Sequence, residues 1–325
     1  MKKVLIAGGA GYIGSMTNKL LSRSGRKTVV FDNLSTGHRC LARWGEFIKG
    51  DLADKAALAR CFAKHDFSAV MHFSAFAYVG ESVLEPAKYY ANNVANTLNL
   101  LEAMRTAGVK RFIFSSSCAV YGEPARLPMR ESLPFCPVNP YGRTKQMVEE
   151  ILADYAAAYG LRYAALRYFN AAGADPGGEI GELHDPETHL IPLALDTAAG
   201  LRPALKVFGG DYPTPDGTCV RDFVHVSDLA RAHLLALRHL EKGGAGGGFN
   251  LGNGRGFSVL QVIRAAEKVT GRQIPVELSG RRAGDPPALV ASAARARRVL
   301  GWKPERARLE AIISDAWRWH KKRGK

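Results

Sequence analysis

The stretch VLIAGGAGYIG, residues 4–14, decides the fold. Its four leading apolar residues read as a buried strand, and MTNKLLSRSG after it reads as a helix. Between them stand Gly8, Gly11 and Gly14 at three-residue spacing. Glycines in such a turn permit a tight bend, let backbone approach a pyrophosphate, and bring helix against strand, while the helix N-terminus faces the anion. Glycine-rich turns also serve packing alone, so the neighbouring segments carry much of the weight.

Further apolar runs, TVVF (28–31), FI (47–48), AVMHF (69–73), RFIF (111–114) and YAALRYF (163–169), read as strands. Segments 87–107 and 144–159 between them have helical period. Alternation of this kind predicts an α/β protein built on a Rossmann-like doubly wound parallel sheet, with ligands at the carboxyl ends of its strands. Strand two ends at Asp32, 18 residues past Gly14, where an acid accepts hydrogen bonds from both adenosine ribose hydroxyls and repels a 2′-phosphate. NAD is therefore expected over NADP. Asp51 and Leu52, at the end of strand three, are positioned for the adenine edge. From about residue 171 a smaller, irregular α/β region rich in Gly and Pro predicts a C-terminal substrate-binding domain, 171–325, beside a dinucleotide-binding domain, 1–170. A segment near 225–255, containing FNLGN (249–253), is expected to return to the first domain.

Composition narrows the partners. Hydrophobic residues make up 46% and charged residues 23% of 325, ordinary for a globular chain with a substantial core. No apolar run approaches the roughly 20 residues that cross a bilayer, so no membrane is expected. The MKKVLIA start passes straight into the glycine loop and reads as a strand and not an export signal. Five scattered cysteines without a CxxC pair argue against a disulfide framework and for a reducing cytoplasm. Nine histidines show no HxxxH or HExxH spacing, and no metal site is expected. The formal charge of +15 favours anionic partners, but basic residues are spread along the chain and no nucleic-acid motif accompanies them. A nucleotide-like small molecule is the expected anion, and nucleic acid is not.

Two motifs supply chemistry. In NPYGRTK (139–145), Asn139 can cap a helix and Pro140 fits its first position. Tyr141 then lies one turn before Lys145 on the same face. With 11 tyrosines and 45 Lys plus Arg, such a pair is expected somewhere by chance. Its meaning comes from SSSCAVYG, which brings Ser115, Ser116 and Ser117 to the same sheet edge, and from the dinucleotide turn beside it.

Assembled, the chain resembles the extended short-chain dehydrogenases/reductases, and more narrowly the UDP-galactose 4-epimerases. The resemblance is carried by GGAGYIGS, FDNLSTG, HF-x5-VGES, SSSCAVYGE, NPYGRTK, LRYFN, GDYPTPDGTCVRDFVHVSDLA, FNLGNG and RRAGDPP, which span nearly the whole chain. It implies Tyr141, Lys145 and Ser117 as catalytic residues. It implies NAD contacts from the glycine loop with Tyr12 and Ile13, from Asp32, Asn33, Asp51 and Leu52, and from Phe73, Asn92, Ser117, Tyr141, Lys145 and Phe169. Ala77 belongs to the same cofactor loop, where some members carry a lysine. Ser117, Tyr141, Asn170, Leu190, Phe208, Arg221, Arg282 and Asp285 would face the UDP-sugar, with the arginines on diphosphate oxygens and Phe208 on uracil. Ala7 replaces the usual threonine before the glycine loop. His189 holds a position often taken by asparagine, and Leu289 one taken by tyrosine or cysteine, so both bear on substrate choice.

The reaction implied is reversible inversion at C4 of a UDP-hexose through a 4-keto sugar, with hydride passing to tightly bound NAD and back. Tyr141, its pKa lowered by Lys145, the helix N-terminus and the nicotinamide, would take the 4-hydroxyl proton, and Ser117 would share it. UDP-pentose and UDP-N-acetylhexosamine 4-epimerases use the same chemistry and remain open. A nucleotide-sugar 4,6-dehydratase needs acidic residues after the serine, where Cys118 and Ala119 stand. A catalytically silent NAD-binding regulator would have lost part of the Ser/Tyr/Lys set. Apolar residues on several faces of 87–107 and 144–159 suggest a homodimer, as in relatives.

Overall fold

The computed structural model describes residues 2–282 and 285–323. Ala283 and Gly284 of RRAGDPP, and the last two residues of the HKKRGK tail, lie outside the described residues. Six strands, β1 (Lys3–Ala7), β2 (Thr28–Asp32), β3 (Glu46–Lys49), β4 (Phe67–His72), β5 (Arg111–Ser117) and β6 (Arg162–Tyr168), form one sheet with a seventh, Gly247–Leu251. Every pairing within this sheet is parallel, and the order runs Gly247–Leu251, β6, β5, β4, β1, β2, β3. The order reverses between β1 and β4, which is where a doubly wound sheet opens a ligand crevice.

Runs such as VLIA and TVVF are buried on both faces because helices cover both sides of the sheet. On one side helix α1 (Tyr12–Arg23) and the helix Val226–Glu241 pack over Val4, Ile6, Val30, Ile113 and Phe249. On the other, Leu5, Val29, Phe31, Val70 and Phe112 meet the helices spanning 55–64, 86–106 and 140–159. At roughly 25 cal/mol per Å² of apolar surface removed from water, these two layers dominate the stabilisation.

The segment 87–107 folds as a helix over 86–106, interrupted by one wide π-turn at Tyr90–Ala95. Such a turn inserts a residue into the helical ladder and commonly marks a functional site. The second lobe has its own core, in which helices Leu190–Ala198, Val259–Thr270 and Leu309–Arg323 bury Leu195, Ile263, Ile312 and Ile313. The chain crosses back to the large sheet twice, through residues 226–251 and again where Trp302 donates its Nε1–H to the Asp228 carbonyl at 2.8 Å.

Candidate active site

At the crevice, the glycines divide the work. Gly8 has φ +78°, and a Cβ on it would stand 2.5 Å from the Ser74 amide nitrogen. A Cβ on Gly14 would strike the Gly8 carbonyl, so this glycine serves helix–strand packing. At Gly11 the nearest atom to such a Cβ is the Gly8 carbonyl oxygen at 3.5 Å, leaving open space that a side chain would fill. The first i→i−4 bond of α1 is Ser15 N–H to Gly11 O at 2.9 Å, so the amides of Tyr12, Ile13 and Gly14 form an anion-facing first turn. This cradle fits a dinucleotide pyrophosphate.

The rest of the groove is lined by Asp32, Asn33, Asp51, Leu52, Phe73 and Asn92 together with Gly8 and Gly11. Asp32 is tied down: Oδ2 accepts from Ala10 N–H at 2.9 Å and Oδ1 from Leu34 N–H at 2.8 Å. Burial raises its pKa, while those two amides oppose the rise. Asn33 donates to Asp51 Oδ2 at 2.7 Å, which joins the ends of β2 and β3. Of the other residues implicated by resemblance, Ile13 packs against the core beneath α1. The Tyr12 side chain is in the core, donating to Gly173 O at 2.6 Å, so only its backbone faces the groove. Phe169 packs against Cys118, Val120 and Tyr121, and Ala77 is exposed.

The Ser117, Tyr141 and Lys145 set implied by the resemblance meets at the end of β5. Asn139 caps the helix Pro140–Tyr159 by accepting from Gly142 N–H at 2.9 Å, so Tyr141 and Lys145 fall in its first two turns. Lys145 is buried, donates to Ser115 O at 2.8 Å, and holds its ammonium 5.7 Å from the Tyr141 ring centre. Burial pushes its pKa down to about 7, against the pull of Glu149. Among the protein's own groups, burial pushes the Tyr141 phenol up to about 12, with the Ser117 hydroxyl opposing as a hydrogen-bonding partner. Desolvation there outweighs the hydrogen bond that the chain offers the phenolate, and the nicotinamide charge named in the expectation would act in addition.

The two serines before Ser117 in β5 are both engaged elsewhere. The Ser115 hydroxyl meets the Tyr168 hydroxyl, and Ser116 donates to Glu149 Oε1 at 2.5 Å. Ser117, last in the strand, accepts from Ala119 N–H at 3.2 Å and lies beside the phenol. Several residues that hold this edge carried no sequence signal. Asn93 accepts from Phe76 N–H at 2.9 Å and donates to Phe76 O at 3.0 Å and Thr144 Oγ1 at 3.1 Å, locking the cofactor loop to the catalytic helix. Glu149 and Arg167 form a buried pair at 2.6 Å, extended through Tyr121 to Asn250. Asp222 accepts from the amides of Asn253, Gly254 and Ala291, and burial pushes its carboxyl up to about 6.

The residues that the resemblance assigns to the substrate lie on the second lobe's strands and loops. Asn170 opens a short strand, Asn170–Ala172, paired with Phe223–His225. Strand Val220–Arg221 lies between Phe257–Ser258 and Ala288–Leu289, placing Arg221 beside Leu289. Arg221 and Asp222 both act on the buried Cys118 thiol next to Ser117, so this wall reaches the catalytic edge. Here Arg221 donates to Asp285 Oδ1 at 2.8 Å, and the Arg282 guanidinium lies 3.9 Å from the Phe208 ring centre. Leu289 is half-buried against the cluster containing Cys118 and Phe169. His189 stands at the N-cap position of the helix Leu190–Ala198, without a side-chain capping bond, at the end of a loop where Glu182, His184, Glu187 and His189 converge. The histidine spacings sought in the sequence do not describe this cluster. Burial opposes the His189 charge, but the Glu182 and Glu187 carboxylates push its pKa up to about 10.

Residues 4–252 match the NAD dependent epimerase/dehydratase family. A UDP-glucose 4-epimerase of Rhizobium leguminosarum bv. trifolii is 53% identical, with 98% of this chain and 97% of the relative covered. The UDP-glucose 4-epimerase of Brucella ovis, solved in complex with NAD, is 55% identical with a TM-score of 0.95 and 98% of both chains covered. The UDP-Glc/GlcNAc 4-epimerase of Campylobacter jejuni is 43% identical with a TM-score of 0.86, covering 99% of this chain and all of the other. The chain belongs to the NAD dependent epimerase/dehydratase family, and its likeness within that family is to the UDP-glucose 4-epimerases.

Proposed function

We propose that this protein interconverts UDP-glucose and UDP-galactose by inversion at C4, using NAD that stays bound through turnover. The observation that carries this reading is the meeting of Tyr141, Lys145 and Ser117 at one sheet edge beside the glycine cradle. NAD, when bound, supplies the hydride acceptor and donor for C4 and a positive ring that favours the Tyr141 phenolate. Gly11 and the first-turn amides of α1 hold its pyrophosphate, and Asp32 its adenosine ribose. The first lobe, with its returning segment, is thus the cofactor domain, and the second is the nucleotide-sugar domain.

Tyr141 removes the proton from the sugar 4-hydroxyl and returns it after inversion. Ser117 hydrogen-bonds the same oxygen and shortens the proton's path. Lys145, pinned to the Ser115 carbonyl, presents a positive charge to the site. Arg221 and Arg282 anchor the diphosphate while the 4-keto sugar turns over. That anchoring displaces Arg221 from Asp285 and lifts Arg282 from Phe208, freeing the ring face for uracil.

Two further elements belong to the same reading. A homodimer is supported by the exposed apolar side chains Val83, Leu84, Met147 and Tyr159 on helices 79–84 and 140–159. Light scattering on the purified protein tests it. A reducing, cytoplasmic setting is supported by five free cysteines, and among the described residues no helix is long and apolar enough to cross a membrane.

The test uses UDP-galactose deuterated at C4, without added NAD. Formation of UDP-glucose that retains the label at C4 is expected, because the intermediate must recover the same hydride it lost. Wholesale loss of deuterium to water would mean a carbanion route and end this reading.

A further inference from the structure

From Glu182 to His189 the chain reads ELHDPETH, with glutamates at its first and sixth positions, imidazoles at its third and eighth, and the exposed Asp185 between them. Folded, one donor atom from each of the four side chains lies within 4.8 Å of all the others. Glu182 Oε1 stands 2.9 Å from His184 Nδ1 and 2.8 Å from His189 Nδ1. Glu187 Oε1 is 2.9 Å from His189 Nδ1, and Glu187 Oε2 is 3.9 Å from His184 Nδ1. Donors held at 2.0–2.2 Å around a tetrahedral ion stand roughly 3.3–3.6 Å apart. The separations of 2.8 to 3.9 Å lie on both sides of that spacing, so the same four side chains reach a coordination shell by local adjustment.

A second observation points the same way. The Glu187 side chain is only 7% exposed, and its Oε2 is buried without a hydrogen-bond partner. Its other oxygen accepts from the amides of Thr188 and His189 at 2.8 Å each. A buried carboxylate oxygen with no partner is destabilising and demands an explanation. This one lies 3.9 Å from His184 Nδ1, within the cluster. The loop itself is held from outside: Trp319 Nε1–H donates to Glu182 O at 3.2 Å, His38 Nε2 meets Leu183 O at 3.0 Å, and Tyr78 donates to Pro186 O at 3.0 Å. The donors are therefore brought together by contacts that need no ion.

We propose that Glu182, His184, Glu187 and His189 form a structural site for a divalent cation of the zinc class. Two imidazoles favour zinc, cobalt or nickel over magnesium, calcium and manganese, which take oxygen ligands. Two carboxylates and two neutral imidazoles balance the charge of such an ion. The site clasps the loop that leads from the first lobe into the helix Leu190–Ala198 and touches no reacting atom.

The test is direct titration of the full-length protein with its NAD retained, stripped by chelator and exchanged into metal-free buffer. Cobalt is expected to bind at one equivalent with the visible d–d absorption of a four-coordinate N/O site, to be displaced by zinc, and to raise Tm. His184→Gln should abolish the absorption, and Glu187→Gln should weaken zinc binding at least tenfold, with NAD retention and circular dichroism verifying the fold. Absence of the cobalt band in the wild-type protein overturns the proposal, whatever the variants do. So does zinc affinity unchanged in folded His184→Gln, which would place the ion on other histidines or cysteines. In either case the cluster is a hydrogen-bonded carboxylate–imidazole clamp. Since the readout is metal binding, epimerase activity can fail or persist independently of it.

Discussion

Replacing Glu149 by Gln tests how the catalytic edge is held from behind. Both members of the Glu149–Arg167 pair are buried, with side chains 4% and 8% exposed. Arg167 donates Nη2–H to Oε2 at 2.6 Å and Nε–H to Oε1 at 2.9 Å. Burial works against the guanidinium charge, and Glu149 overrides it, so the Arg167 pKa stands above its ordinary value. Removing one partner of such a pair destabilises by about 3–5 kcal/mol, because the other charge remains buried. Two features favour the lower end: Tyr121 continues to meet Arg167, and the Gln carbonyl can still accept from Ser116. A loss of about 3 kcal/mol is expected, which for a chain of this size lowers Tm by roughly 6 °C. Glu149 also lies one turn beyond Lys145 and supports its ammonium. The alkaline limb of the pH–rate profile should therefore move to lower pH in Glu149→Gln. Urea denaturation at fixed NAD concentration measures the first effect, and kcat/KM between pH 6 and 10 the second. The double variant Glu149→Leu with Arg167→Met should recover most of the stability, since it leaves no unpaired charge. A single-variant loss below about 1 kcal/mol, or a double variant as unstable as the single one, would refute the reasoning.

Tyr141→Phe should lower kcat by at least about 10²-fold with little change in UDP affinity, the usual scale for losing a positioned acid–base group. Steady-state kinetics and UDP calorimetry check this together. Lys145 gives a pH dependence with a definite sign. Its folded pKa of about 7 lies below the ordinary 10.5, so between these values the unfolded chain binds the extra proton and stability rises with pH. In NAD-depleted protein, wild type should gain stability relative to Lys145→Met from about pH 7 to 10.5, and a flat difference would exclude the shift. Leu289 packs against the cluster containing Cys118 and Phe169, and at the sugar-pocket position that the resemblance implies its bulk should partly exclude an N-acetyl group. Leu289→Cys should raise kcat/KM for UDP-N-acetylgalactosamine relative to UDP-galactose by roughly 10-fold or more. An unchanged ratio would mean that the pocket wall is built elsewhere.

What the sequence determined by itself is the part of the protein governed by near neighbours along the chain. A buried parallel strand, its glycine turn and the helix after it are each legible in VLIAGGAGYIG because strand period, turn geometry and helix start act over a few residues. The same holds for Asn139, Pro140, Tyr141 and Lys145, whose cap, first position and one-turn spacing all lie within seven residues. Tertiary structure alone decided what surrounds them. Asn93 and Thr144 are 51 residues apart, Asp222 and Asn253 are 31, and no spacing rule links such pairs. Nor could the sequence weigh desolvation at Tyr141, because that depends on everything packed around the phenol. The cluster from Glu182 to His189 makes the boundary plain. Its members are only seven residues apart, yet offsets of two, five and seven match neither the 3.6-residue period of a helix nor the alternation of a strand. They meet because Trp319, His38 and Tyr78, all distant in sequence, bend that loop into one place.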